Sequence, residues 1–85
     1  MSNVRRILII DDDDDLRESL ADQLALHDEF EVVACETASK GLEAAKAGPF
    51  DLVLLDVSLP DMDGREILNW IVAAGLPTAV LVITG

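Results

Sequence analysis

Short apolar segments that alternate with helical periods constrain the fold of this chain more than any other feature. The continuous apolar runs Ile7–Ile10 and Leu52–Leu55 are typical of strands that are buried on both faces. Phe30–Cys35 and Ala79–Ile83 are predicted to form two further strands. Because the segments between them have helical periods, the order is βαβαβαβ. This order predicts a parallel sheet with right-handed crossovers and helices on both faces.

Three helices are predicted between the strands. Asp13 or Asp14 is suited to cap the first helix, and Thr37 or Ser39 the second, because short polar side chains accept hydrogen bonds from the first free amides of a helix. Gly48, followed by proline, ends the second helix. The residues that mark the apolar faces are Leu16, Leu20 and Leu24 in the first helix, Ala38, Leu42 and Ala45 in the second, and Ile67, Leu68 and Ile71 in the third.

Charge and length narrow the function classes. The chain has 85 residues, enough for one small domain, and its net charge is −11. Such an acidic segment is poorly suited to bind nucleic acid, because phosphate contacts need lysine and arginine. It is better suited to bind cations or basic partners.

The sequence also favours a cytoplasmic, non-membrane setting. No apolar run approaches the roughly 20 residues that span a bilayer. The apolar run that follows the two N-terminal arginines ends at Asp11 and is too short for a signal peptide. Cys35 is the one cysteine, and we expect it to be a small buried apolar residue in a reducing compartment.

Polar residues stand where three of the predicted strands end. Asp11 and Asp12 follow the first strand, Asp56 follows the third and Thr84 follows the fourth. The carboxyl ends of parallel strands form the ligand-binding edge of an open α/β sheet, so the three carboxylates are expected to converge. Carboxylates this close repel one another unless a cation lies among them, and hard oxygen ligands suit Mg2+. With such a cation, Asp56 could act as a nucleophile towards phosphorus, and Thr84 could bind a phosphoryl oxygen.

The motifs resemble those of response regulator receiver domains, the phosphoacceptor modules of two-component signalling. The first strand and its acidic pair are similar, as are the phosphoacceptor strand with its following loop, the fourth strand and part of the second helix. The segments that carry the resemblance are 7–13, 51–64, 81–85 and 38–44. It extends over nearly the whole chain, from about Val4 to Gly85.

The resemblance implies a role for each matching residue. Asp56 would accept a phosphoryl group from a sensor histidine kinase or a phosphotransfer protein. Asp12 would ligate Mg2+ directly, Asp11 mainly through water, and the backbone carbonyl of Ser58 would be a further ligand. Thr84 would be the switch hydroxyl. The protein would then be a signalling domain and not an enzyme, catalysing at most its own phosphorylation and dephosphorylation.

The resemblance also implies a flavodoxin-like three-layer sandwich with sheet order 2-1-3-4. Residues 1–85 would form a partial receiver domain that ends before the fourth helix, the fifth strand and the fifth helix. The family's lysine that pairs with the phosphoryl group lies in that later part. Strand 4 would be an open apolar edge, so we expect homo-oligomers to form through it.

Other functions fit parts of the pattern. A receiver fragment that cannot be phosphorylated could serve only as an interaction or oligomerisation module. A haloacid-dehalogenase-type hydrolase would need an acid two positions after Asp56, where this chain has Ser58. A calcium loop starting at Asp11 would need glycine where Leu16 stands and glutamate where Asp22 stands. Solvation, turn formation and helix capping account for the remaining acids of the two loops, which are Asp13, Asp14, Asp15, Asp61 and Asp63.

Overall fold

A four-stranded parallel sheet organises the fold in the computed structural model, which describes residues 4–56 and 59–83. The strand order is β2-β1-β3-β4, as predicted. The strands are β1 (Arg5–Ile10), β2 (Phe30–Cys35), β3 (Leu52–Asp56) and β4 (Ala79–Ile83). The helices between them are α1 (Asp14–Ala25), α2 (Ala38–Ala47) and α3 (Gly64–Ala73).

Alternate residues of the central strands enter two separate cores. Leu8 and Ile10 of β1 pack in the cluster that α2 and α3 cover, whereas Ile7 and Ile9 pack in the cluster that α1 covers. All four side chains are at most 3% exposed. The continuous apolar run therefore reflects a strand with helices on both faces, and the predicted three-layer arrangement is confirmed.

The helix caps follow the sequence prediction with small changes. Asp13 is the N-cap of α1, and its carboxylate accepts a hydrogen bond from the Leu16 amide at 3.1 Å. Thr37 is the N-cap of α2 and accepts from the Lys40 amide at 3.2 Å. Ser39, the alternative cap for α2, lies within the first turn of the helix.

The buried face of α2 differs from the predicted one in that it includes Gly41 and only part of Leu42. Ala38, Gly41 and Ala45 are buried, whereas Leu42 is only half-buried. Gly41 lies on this face because a Cβ atom there would come within 3.0 Å of Cδ1, Cγ1 and Cγ2 of Ile10. The missing side chain lets the first turns of α2 lie directly on β1, next to the residues that precede Asp11.

The outer strand differs from the inner ones in its exposure. β4 pairs with β3 in parallel, with Leu54 opposite Leu81. Leu81 is 57% exposed and Val82 41% exposed, although both are apolar. Within the described residues, β4 is therefore an apolar edge strand, as expected from the sequence. Among the same residues, no helix has the length and apolar character needed to cross a bilayer.

Candidate functional site

Three carboxylates meet at the carboxyl edge of the sheet. Asp11, Asp12 and Asp56 each have a carboxylate oxygen within 4.8 Å of a carboxylate oxygen of the other two residues. Asp11 is 2% exposed and Asp56 6% exposed, while Asp12 is exposed to solvent. The predicted convergence of these residues is therefore found in the structure.

Strand pairing explains why residues so distant in sequence meet. Ile10, the last residue of β1, lies opposite Leu55 in β3, so the next residues, Asp11 and Asp56, lie side by side at the end of the sheet. The amide of Asp11 also donates to the carbonyl of Cys35 at 3.1 Å, which extends the pairing of β1 with β2 by one residue. The backbone at Asp11 is thus fixed by the sheet itself.

A compact turn between β1 and α1 holds the acidic pair. The Asp11 carboxylate accepts a hydrogen bond from the Asp13 amide at 2.9 Å. Arg17 reaches back from α1, and its Nη1 donates to the Asp11 carbonyl at 2.8 Å. Its Nη2 forms an ion pair with Asp14. The Arg17 side chain is only 13% exposed, and its contacts with Asp11 and Asp14 stabilise the turn.

The electrostatics of the cluster favour a bound cation. Burial raises the pKa of the Asp11 carboxyl above its ordinary value, the hydrogen bond from Asp13 opposes this, and the negative charges of Asp56 and Asp12 raise it further. The ionised form of Asp11 is therefore less stable than that of an ordinary aspartate. A divalent ion would relieve both the repulsion and the cost of burying the charge.

The donor set suits magnesium chemically. It consists of carboxylate oxygens, two of them from buried side chains and one from an exposed side chain that leaves the site open to water. Mg2+ prefers such hard oxygen ligands, uses only a few from the protein and retains several waters. The residues present thus fit the metal that the sequence predicts.

Two predicted site residues lie outside the described residues. They are Ser58, predicted to contribute its backbone carbonyl, and Thr84, predicted as the switch hydroxyl. Leu59, which follows Ser58, is 8% exposed and belongs to the core that α2 and α3 cover. Ile83, which precedes Thr84, lies opposite Asp56 in the sheet. The roles of Ser58 and Thr84 stay predictions.

Two residues that connect the site to its surroundings, Arg17 and Asp61, were not among the site residues predicted from the sequence. Arg17 could have been found, because its spacing of three residues from Asp14 on a helix signals an ion pair. Asp61 has the sequence context of a loop residue, but its carboxylate accepts hydrogen bonds from Ala38 and Ser39 at the start of α2. No local pattern signals that second contact, because its partners lie 22 and 23 positions away in sequence.

Comparison with known proteins identifies a family. The family model described as the response regulator receiver domain matches residues 7–85. The cell cycle response regulators CtrA of Brucella ovis and Brucella anthropi are each 33% identical to the chain over 81 residues. That match covers 94% of this chain but 34% of each relative, so the chain spans about a third of their length.

Solved structures give the same result. A CheY-like response regulator receiver domain protein from Methanospirillum hungatei is 34% identical with a TM-score of 0.90, and the match covers 96% of this chain and 65% of that one. The non-phosphorylated HemR receiver domain from Leptospira biflexa is 34% identical, with a TM-score of 0.86 and coverages of 94% and 64%. The response regulator TrrA from Thermotoga maritima, solved in complex with Mg(2+)-BeF, is 28% identical, with a TM-score of 0.86 and coverages of 95% and 70%.

Proposed function

The chain belongs to the response regulator receiver domain family, and from that premise we propose that Asp56 accepts a phosphoryl group in a Mg2+-dependent reaction. The observation that carries the proposal is the meeting of Asp11, Asp12 and Asp56 at the carboxyl edge of the sheet, with ligand atoms within 4.8 Å of one another. A buried carboxylate beside two further carboxylates is arranged to share a divalent cation and to react with an electrophilic phosphorus.

In this proposal the three carboxylates do not all bind the cation in the same way. Asp12 and Asp56 would bind the cation directly, Asp11 would bind it mainly through water, and the Ser58 carbonyl would add a ligand. When bound, Mg2+ supplies positive charge that neutralises the phosphoryl oxygens as charge develops on them. The match to TrrA, which was solved with Mg(2+)-BeF, supports the choice of metal.

In the chemical step the protein mainly positions the reacting groups and stabilises the charge on the phosphoryl oxygens. A carboxylate oxygen of Asp56 attacks the phosphorus of the donor, an O–P bond forms, and the bond from phosphorus to the donor breaks. With a phosphohistidine donor the electron pair leaves on the imidazole nitrogen, and with acetyl phosphate it leaves on acetate. Thr84, directly after the strand position that faces Asp56, would hydrogen-bond a phosphoryl oxygen.

The donor we propose is a sensor histidine kinase or a phosphotransfer protein, because receiver domains of response regulators are phosphorylated by such proteins. A free thiol at Cys35, which is buried, fits a cytoplasmic protein that works in a reducing environment. The output that phosphorylation would control belongs to the whole response regulator, of which this chain resembles the receiver part.

A second candidate function is supported by the exposed apolar edge. Leu81 and Val82 lie on β4, where a strand from another chain could pair. In this alternative the chain acts only as an interaction or oligomerisation module and does not take up phosphoryl groups. The two candidates differ in one measurable property, the reactivity of Asp56.

The experiment is incubation of the protein with Mg2+ and either acetyl phosphate or phosphoramidate, followed by intact mass spectrometry. Phosphoramidate carries the phosphorus–nitrogen bond of a phosphohistidine donor. We expect one phosphoryl adduct on the wild type, none on Asp56→Asn and none when a chelator replaces Mg2+. A folded wild type that stays unmodified by both donors would reject the proposal and leave the interaction module.

A further inference from the structure

Arg17 reaches from α1 to the backbone that carries two of the clustered carboxylates. Its Nη1 donates to the Asp11 carbonyl at 2.8 Å, and its Nη2 forms an ion pair with the Asp14 carboxylate. The Arg17 amide donates to the Asp13 carbonyl at 2.9 Å, so the backbone of this residue is fixed in the first turn of the helix. The side chain is mostly buried. The guanidinium therefore has a defined place in the fold, with two acceptors that precede it in sequence.

The carbonyl that accepts this bond belongs to the peptide group between Asp11 and Asp12. A peptide group is planar and includes the Cα atoms of both residues. Holding its oxygen therefore limits the positions of both Cα atoms, from which the two carboxylates extend. Each of these carboxylates has an oxygen within 4.8 Å of one from Asp56. Arg17 is thus connected to the acidic cluster through one hydrogen bond and one peptide group, all within the described residues.

Asp12 is the member of the cluster whose position depends most on its backbone. Asp11 is buried, its carboxylate accepts from the Asp13 amide, and its own amide donates to the Cys35 carbonyl. Asp56 is the last residue of β3 and is also buried. In the described part of the sheet the pairing of β1 ends at Asp11, and Asp12 is exposed to solvent. The direction of the peptide group before Asp12 therefore decides where its carboxylate lies.

We propose that Arg17 is a positioning residue for the cation site, holding the peptide group between Asp11 and Asp12 so that both carboxylates are aligned with the cation. This inference rests on the proposed function, because it requires that the cluster binds Mg2+. A guanidinium presents a planar set of donors and can bridge two acceptors at once. Groups that orient the ligands of a metal without touching it contribute strongly to the affinity for that metal.

Stabilisation of α1 alone does not account for the arrangement. Asp13 already caps the helix by accepting from the Leu16 amide. An ion pair between residues three positions apart, such as Arg17 with Asp14, stabilises a helix only weakly. The Asp11 carbonyl lies before the helix, so the bond to it adds nothing to the helix itself. A role confined to α1 would lower the free energy of unfolding and leave the Mg2+ affinity of the folded protein unchanged.

The positive charge of Arg17 separates positioning from simple electrostatics. A cationic side chain near a cation site repels the cation, so charge alone predicts tighter Mg2+ binding when Arg17 is removed. The hydrogen bond with Asp14 and the negative charges of Asp14 and Glu36 raise the pKa of the Arg17 guanidinium. These carboxylates offset part of its repulsion towards a cation. A positioning role predicts weaker binding when Arg17 is removed, which is the opposite sign.

The test titrates Mg2+ into the wild type, Arg17→Met, Arg17→Lys and Arg65→Met, and follows the amide signals of residues 11–13 by NMR. Arg17→Met removes the charge and both side-chain contacts. Arg17→Lys keeps the charge but loses the planar donor set that bridges two acceptors. Arg65→Met removes the same charge from α3, together with the ion pair to Asp63, which caps that helix. Circular dichroism establishes that each variant is folded, and Arg17→Lys carries the test if Arg17→Met does not fold.

We expect Arg17→Met and Arg17→Lys to weaken Mg2+ binding by about tenfold, the lower end of the effect of groups that orient metal ligands. Arg65→Met is expected to bind Mg2+ at least as tightly as the wild type. Undiminished affinity in either Arg17 variant would overturn the inference and leave the proposed function intact. Equal weakening by Arg65→Met would overturn it as well, since the effect would not be specific to the turn. A wild type that binds no Mg2+ would overturn the proposed function and this inference together.

Discussion

Asp12 and Asp13 are neighbours in sequence and both are acidic, yet the structure gives them different surroundings. Asp13 caps α1 and accepts from the Leu16 amide, whereas Asp12 has an oxygen close to those of Asp11 and Asp56. The sequence pattern separates them in the same way, because only Asp11 and Asp12 stand at the end of a buried strand. The difference between these two residues can be measured directly.

Mg2+ should stabilise the wild type and Asp13→Asn but not Asp12→Asn. A ligand that binds only the folded state adds about 2.7 kcal/mol at a concentration about one hundred times its dissociation constant. Asparagine caps a helix about as well as aspartate, so Asp13→Asn keeps the fold and the cluster. Urea unfolding with Mg2+ and with a chelator measures the gain. A full gain in Asp12→Asn would show that the cation binds elsewhere.

Asp63 gives a prediction for the pH dependence of stability. Its hydrogen bonds with the Arg65 side chain and amide lower the pKa of the Asp63 carboxyl below the ordinary 3.8. A carboxyl whose pKa is lower in the folded state stabilises the fold above its unfolded pKa, and this contribution is lost as the pH falls through the folded value. Asp63→Ala should therefore unfold at a lower temperature than the wild type at pH 7, and the gap should narrow in acid below pH 3.8. A gap that is the same at both pH values would contradict this.

Some residues of the site can be predicted from the sequence immediately around them, and others cannot. Asp11, Asp12 and Asp56 were predictable because their positions at strand ends follow from the apolar runs before them. Asp61 was not, because its contact with Ser39 joins residues far apart in sequence. The spacing of Arg17 from Asp14 indicates their ion pair, but it does not indicate the hydrogen bond from Arg17 to the Asp11 carbonyl. The hydrophobic pattern specifies the strands and their alternation, but it carries no information on which loop side chain meets which distant backbone group.

At the scale of elements, α2 depends on close contact with β1. Gly41→Ala should destabilise the fold although alanine favours helices. Alanine gains about 1 kcal/mol in helix propensity over glycine. Its Cβ, however, would lie within 3.0 Å of three side-chain atoms of Ile10, which is fully buried. Overpacking of this kind costs about 1–3 kcal/mol, so we expect a small net loss.

Urea unfolding of Gly41→Ala tests that prediction, and Gly75→Asn is the control variant. Gly75 follows α3 with a φ of 68°, and a Cβ added there would have no atom within 4 Å, so its cost is one of backbone conformation alone. Asparagine tolerates that conformation better than most residues. If Gly41→Ala costs less stability in an Ile10→Ala background, which lacks all three contacting atoms, than in the wild type, the contact with Ile10 is the cause. A stabilised Gly41→Ala would contradict the packing account.

The edge strand β4 predicts self-association with a second copy of the chain. β4 has no charged side chain, although the net charge of the 85 residues is −11, so two copies can approach at β4 without bringing charges of this strand together. Leu81 is 57% exposed on this edge strand, and Val72, 70% exposed, lies on α3 instead. Leu81→Lys should therefore reduce association, while Val72→Lys adds the same charge away from the edge.

Multi-angle light scattering over a concentration series tests this. We expect the mass of the wild type and of Val72→Lys to rise with concentration, and Leu81→Lys to remain a monomer. A wild-type mass that stays monomeric at every concentration would reject self-association through β4. The order β2-β1-β3-β4 was predictable from the family's strand order, and the exposure of β4 is seen in the described part of the sheet. The extent of the domain, predicted as residues 1–85 of a larger receiver, stays a prediction.

At the scale of the whole molecule, the charge distribution opposes folding in the absence of a cation. The chain has 17 acidic and 6 basic residues, and its Cα radius of gyration is 12.1 Å. At about 0.01 M salt the screening length is about 30 Å, larger than this radius, and at about 0.1 M it falls to about 10 Å. The repulsion among the acidic residues should therefore weaken over this range.

We expect the thermal unfolding midpoint in chelator to rise as NaCl increases from about 0.01 M to about 0.1 M. The rise should be smaller when saturating Mg2+ is present, because the cation already neutralises the acidic cluster. Circular dichroism follows both series in the same buffer. A midpoint that falls with salt would show that attractive ion pairs, such as that of Arg17 with Asp14, outweigh the repulsion.

We expect Asp56, and not one of its acidic neighbours, to accept the phosphoryl group. The most direct measurement is reduction with borohydride after incubation with acetyl phosphate and Mg2+, followed by peptide mass spectrometry. Borohydride converts an aspartyl phosphate into homoserine and so marks the residue permanently. We predict homoserine at position 56 alone. Homoserine at position 11 or 12, or unmodified peptides from a folded protein that carried the phosphoryl adduct, would contradict the claim.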